Sequence, residues 1–135
     1  MVRSFVAAAL VAVCAGASPA FAAGTCAVTS GETVVLRSSD FDPDVLVWDT
    51  RQRAIDYINA IHVSANEVLS HTLLAGPGTR AVVVQCVPAS VKPKYTSEIL
   101  DTVGIKITTG PNKGRYGWVT SDDVHTGATP QTTVQ

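Results

Sequence analysis

The residues able to do chemistry fall into a few short groups along this 135-residue chain. "DFDPD" places Asp40, Asp42 and Asp44 at every second position, the spacing that opens a calcium loop, where alternate carboxylates turn toward one ion. The pattern then breaks. The sixth position is Val45, where the loop's sharp turn needs glycine, and the twelfth is Arg51, where a bidentate glutamate closes the shell. The expectation is an acidic turn without metal. His62, His71 and His125 stand alone, with no second ligand at metal-binding spacing, and His62 and His71 fall among helical residues as surface or half-buried side chains. No cofactor is expected. Asp122 and Asp123 are adjacent, and on a strand they would point to opposite sides, which makes them poor partners for acid–base work. No Ser-His-Asp or Cys-His set follows from the spacings either, so no catalytic residue is assigned and the chain reads as a non-enzyme.

The three cysteines separate by address. Arg3 opens a short positive segment, and the apolar run Phe5 to Val13 is too short to span a membrane as a helix. Ala20-Phe21-Ala22 then supplies a small-x-small pattern. Residues 1–22 read as a secretory signal cleaved before Ala23, which predicts a periplasmic or secreted protein with no membrane insertion after cleavage. Cys14, in "VAVC", offers the alternative of a lipoprotein site, although bulky Val13 stands where such sites carry Gly, Ala or Ser. Cleavage after Ala22 leaves 113 residues, enough for one small domain over residues 23–127. Of its two cysteines, Cys26 and Cys86, the simplest use in an exported protein is one disulfide. Closing a loop of about 60 residues stabilises a fold by roughly 4 kcal/mol in the chain-entropy account. Loss of Arg3 takes the net charge from −1 to −2. A slightly acidic domain without charge blocks lacks the footprint of a nucleic-acid binder and the polybasic patch that holds a membrane surface.

The elements that must position these groups follow from periodicity. Thr33 to Ser38 is β-branched and reads as a strand. "VLVWDT" leads, extended, into a helix capped by Asp49 or Thr50, with Ala54, Ile55, Ile58 and Ile61 on one face. "SANE", Ser64 to Glu67, fits a capping box and predicts a second helix carrying Val68, Leu69 and Leu73 up to Gly76-Pro77, so that helical structure occupies residues 50–74. The period then changes to two. Thr79 to Val87 is a strand, Pro88 to Glu98 a proline-broken loop, Ile99 to Thr109 another strand, and Arg115 to Val124 closes the domain. Residues 128–135 form a polar, flexible tail.

Between the last two strands lies "GPNKGRYGW", Gly110 to Trp118. A Walker loop is excluded, because Lys113 precedes Gly114 and neither Ser/Thr nor a helix follows. A hairpin fits: Gly110 and Gly114 allow positive φ in the turn, Val103, Ile105 and Ile107 share a face opposite Lys106, and Tyr116 and Trp118 share the face opposite Gly117 and Val119. The stretch Val103 to Val119 resembles the short KOW motif of ribosomal and elongation proteins, whose RNA partner the acidic charge and export signal disfavour. A more specific resemblance is carried by Gly78-Thr79 opening "AVVV", by "VGIKITTG" and by "KGRYGWVTSDDV". Together these resemble the second half of a bacterial SH3-like (SH3b) domain, over residues 73–124, under half of the mature chain. The resemblance implies a mainly β protein with α, a small SH3-like barrel preceded by one or two short helices. It also implies a binding module for a cell-wall component or peptide, or else an accessory subunit held by an envelope protein. The candidate binding surface is Tyr116 and Trp118 with Arg115 beside them, unless the helix at residues 50–61 covers Trp118 and leaves Tyr116 at the rim.

Overall fold

Alternation with period two builds most of the chain, and its apolar half supplies the core. The computed structural model describes residues 25–40, 42–59, 63–94 and 96–126. The expected signal peptide, the tail, Ile61 and His62 lie outside them. The strands are β1 (Thr33–Leu36), β2 (Val45–Trp48), β3 (Thr72–Ala75), β4 (Thr79–Val91), β5 (Leu100–Ile107), β6 (Tyr116–Thr120) and β7 (Val124–Thr126). They form one antiparallel sheet in the order β3-β2-β6-β5-β4-β1-β7, curled into a half-barrel. Helices α1 (Arg51–Ile58) and α2 (Ala65–His71) sit between β2 and β3 in the chain. On the inner face Val34, Leu36, Val45, Val47, Val83, Val103, Ile105, Ile107 and Val119 pack into one buried cluster, and removal of this apolar area from water is the main stabilising contribution.

Several expectations need correction. The helices do not precede the barrel strands as a block, because β1 and β2 come first and β3 follows α2 directly. "VLVW" is not a lead-in but a full strand, paired with β3 from Val45↔Ala75 to Trp48↔Thr72. Leu73, assigned to the second helix, lies on β3 and packs on the core, since α2 ends at His71. The strand after it is longer than expected. β4 runs through Pro88 and Ala89 because the register slips between Val87 and Val91, a bulge that tolerates a missing N–H. Ala89, at φ 48°, donates its own N–H to Asp101 Oδ1 at 2.9 Å.

Local signals in the sequence set both helix starts. Thr50 caps α1 by accepting from Arg53 N at 3.3 Å, and Ser64 and Glu67 complete a capping box on α2. The Gly110–Gly114 turn closes on Gly114 N→Ile107 O at 2.7 Å, with φ 81° and 90° at its two glycines. Cys26 and Cys86 are joined, with Cα atoms 6.2 Å apart, and tie the segment before β1 to β4.

One register pair joins the β2–β3 ladder to the rest of the sheet. β2 and β6 share a single register pair, Trp48↔Trp118. Next to it, a Cβ on Gly117 would lie 2.3 Å from Val47 Cγ1 and 2.8 Å from the Trp48 carbonyl oxygen. The strands come this close only because residue 117 has no side chain. Gly117→Ala should therefore destabilise the protein by about 1–3 kcal/mol through overpacking against backbone, read as a lower denaturation midpoint. A change below about 0.5 kcal/mol would show that β2 and β6 are not held at this spacing.

Candidate functional site

The outer face of the sheet carries the side chains that the core does not use. There Gly104↔Trp118 and Lys106↔Tyr116 are opposed pairs of β5 and β6. Helix α1 covers part of this face through Ala54, 1% exposed, whose small side chain permits close approach. Beneath it Arg51 Nε donates to Thr102 Oγ1 at 2.9 Å, which satisfies a fully buried hydroxyl. Trp48, 3% exposed, stacks at 5.2 Å and 40° against the Tyr57 ring. The tryptophan buried beside the helix is thus Trp48, whereas Trp118 is half-buried.

Trp118 has a different support. A Cβ on Gly104 would be 3.3 Å from Cη2 and 3.4 Å from Cζ2 and Cζ3 of the indole. Three ring atoms at nearly equal distance from one point require the ring to lie face-on over the strand. The glycine gives the indole a flat seat. Around it, a register slip between Val83 and Gln85 throws Val84 outward, 47% exposed, and sets Gln85 opposite Gly104. Val84, Gln85, Trp118, Tyr116 and Asp49 line a hollow of about 120 Å³.

A second hollow, about 200 Å³, opens where β2 and β6 diverge beyond their single pair. Arg115, Tyr116, Asp49, His71 and Leu73 line it. Tyr116 is 62% exposed and belongs to both hollows, with Lys106 Nζ 5.5 Å from its ring centroid. Asp49 also borders both. It accepts from His71 Nδ1 at 2.7 Å and from Arg53 at 3.2 Å. Desolvation raises its pKa, but the His71 hydrogen bond with the Arg53 and His71 charges outweighs this, so the carboxyl sits below its ordinary value.

On the far side of α1 lies a third hollow, about 50 Å³, bordered by Asp40, Asp42, Asp44, Asp122 and Asp123. Here the reading of Asp122 and Asp123 as opposed strand residues is wrong: Ser121–Asp123 form a 3₁₀ turn, and both carboxyls reach Ser39. Ser39 N donates to Asp123 Oδ1 at 2.8 Å and Ser39 Oγ to Asp122 Oδ2 at 2.8 Å. Burial pushes Asp123 up to about 6 despite the Ser39 backbone hydrogen bond, and the Asp122 and Asp40 charges add to the rise. Among the described residues, the only His, Cys, Asp and Glu ligand atoms that converge as a trio belong to Cys26, Cys86 and Asp101, and both sulfurs are spent in the disulfide.

Arg115, Tyr116 and Trp118 are thus brought to one region, while Gly110 and Gly114 shape the turn behind them and border none of the three hollows. Asp49, His71, Gln85 and Gly104 were not read as site residues. Asp49 and His71 are 22 residues apart, and no local spacing signals their contact. No family model, curated protein or solved structure matches the chain.

The raised pKa of Asp123 has a definite sign. Between its ordinary value of 3.8 and about 6, the folded chain holds a proton that the unfolded chain has released. Its contribution to stability is therefore fully present below the lower value and is lost as pH rises through the upper one. Asp49, lowered, contributes in the opposite sense, with stability fully present above 3.8 and lost only as pH falls below it. The wild type should lose stability relative to Asp123→Asn between about pH 4 and about pH 7, measured as denaturant midpoints at each pH. Parallel profiles would show that Asp123 titrates normally.

Proposed function

We propose that this chain is an exported, non-enzymatic binding module of the bacterial envelope with an SH3-like barrel, periplasmic or secreted, whose ligand is a cell-wall component or peptide. The observation that carries this reading is the Trp118 indole, seated flat on Gly104 at 3.3–3.4 Å and bordered by exposed Val84 and Tyr116 around an open hollow. A rigid aromatic surface with little conformational freedom left to lose suits it to recognition. The lining of the hollow also includes polar Gln85 and Asp49, the latter paired with His71, which suits a ligand that is itself part polar. The hairpin, its two-glycine turn and the Gly117-Trp118-Val119 strand support the SH3-like assignment, and the disulfide supports an oxidising compartment.

A second reading rests on a different surface. Leu69 and Leu74 are exposed at α2 and on β3, an edge strand of the sheet. An apolar edge of this kind suits an accessory subunit held by another envelope protein.

Retention on purified peptidoglycan, with and without the indole, tests the first reading. Trp118→Ala should weaken retention at least about tenfold while lowering stability by only about 1–2 kcal/mol. A loss above about 3 kcal/mol would make Trp118 a core residue. Unchanged retention, or none by the wild type, would transfer the weight to Leu69 and Leu74.

A further inference from the structure

The hollow where β2 and β6 diverge is distinguished by what its polar groups lack. Three donors line it without a hydrogen bond or ion pair to any described residue: the Arg115 guanidinium, the Tyr116 hydroxyl and the Ser70 hydroxyl. Among the described residues Asp49 is the one carboxylate in the lining, and it is already engaged. Arg53 donates to its Oδ1 at 3.2 Å and His71 Nδ1 lies 2.7 Å from its Oδ2. Lys106, with Nζ 5.5 Å from the Tyr116 ring centroid, adds another cation beside the hollow. The local balance of charge is therefore positive, although the chain as a whole carries −1. Donors without acceptors in a positive field suit an anionic group that only accepts.

Size and shape narrow the occupant. By the measure on which one water occupies roughly 10–15 Å³, about 200 Å³ holds a carboxylate together with the residue that bears it. A guanidinium presents its N–H groups as a flat fork that matches the two oxygens of a carboxylate. Leu73 supplies an apolar wall for a small side chain next to that group. The hollow also adjoins the Trp118 hollow, because Tyr116 and Asp49 border both. The pairing of β2 with β6 stops at Trp48↔Trp118, and the space beyond it admits the end of an extended chain.

We propose that this hollow receives the C-terminal carboxylate of a short peptide, bound by the Arg115 guanidinium with the Tyr116 hydroxyl donating beside it, while the preceding residue lies on the Trp118 indole. The peptide identity rests on the reading of the Trp118 hollow as the binding surface; the carboxylate contact is tested separately from it.

Titration of the full chain with N-acetyl-alanyl-alanine, its C-terminal amide and sodium phosphate, at neutral pH and constant ionic strength, tests this. NMR shifts of the Arg115 amide, the Tyr116 ring and the Trp118 indole are the readout. The free acid should give a saturable shift with Kd of about 1–10 mM, and the amide should bind at least about fivefold more weakly. Arg115→Gln should weaken the acid about fivefold and leave the weaker binding of the amide unchanged. Arg115→Lys should recover part of that loss, because an ammonium lacks the fork. Tyr116→Phe, which keeps the ring, should weaken the acid about twofold to threefold. No saturable shift, equal binding of acid and amide, or an unchanged Kd in Arg115→Gln overturns the proposal. So does displacement of the acid by phosphate at equal concentration, which would make the hollow a general anion site. Retention on peptidoglycan that depends on Trp118 but not on Arg115 would overturn it too and leave the Trp118 reading standing. Binding of the acid that Arg115→Gln weakens and Trp118→Ala does not would support the carboxylate site and overturn the Trp118 reading instead.

Discussion

The crossing of β2 and β6 at Trp48 and Trp118 is the constraint on which the rest of the molecule depends. It is a single register position, and it joins the β2–β3 ladder to the long β4–β5–β6 sheet. Its closeness comes from an absence. Gly117 leaves room for Val47 and the Trp48 carbonyl, where any side chain would force the strands apart. The first helix begins three residues beyond Trp48, so the same contact fixes where α1 lies on the outer face. From there the partition follows: one tryptophan passes under the helix beside Tyr57, and the other stays outside it on a glycine.

That partition gives the two sides of α1 different electrostatic characters. On the Trp118 side, Asp49 meets His71 and Arg53, and its charge is stabilised. Around the hollow bordered by Asp122 and Asp123, acidic groups gather without a cation among the described lining residues, and Asp123 holds its proton to about 6 because burial and its neighbours oppose ionisation. Charges compensated within the fold leave a nearby surface free to recognise shape and aromatic stacking. The arrangement therefore gives one small domain two surface hollows of different chemistry, with no lining residue in common.

Local signals were legible wherever a few neighbouring residues decide the outcome. The caps at Thr50 and Ser64, the glycine turn at 110–114, and the alternation that puts Val103, Ile105 and Ile107 inside with Tyr116 and Trp118 outside all follow from backbone stereochemistry over a handful of positions. The disulfide was legible for another reason: with residues 1–22 read as a cleaved signal, Cys26 and Cys86 leave only one pairing. The misreadings share a cause. Leu73 continued a helical apolar pattern, but backbone pairing with β2 claimed it as a strand; Pro88 looked like a break, but a bulge in a long strand absorbed it. Asp122 and Asp123 were judged by strand geometry, and a 3₁₀ turn set them side by side.

The sequence by itself determined the mainly β character, the core face of each hairpin strand and the helix starts, because these depend on residue type at short separation, and the cysteine pairing, because the chain read as mature leaves only one. Only the tertiary structure decided which tryptophan is buried, that Gly104 carries the other, that Asp49 meets His71, and that aspartates from residues 40–44 and 122–123 border one hollow. Each of those facts is a contact between segments far apart in the chain. Such contacts are selected by the packing of the whole sheet, which no window of sequence contains.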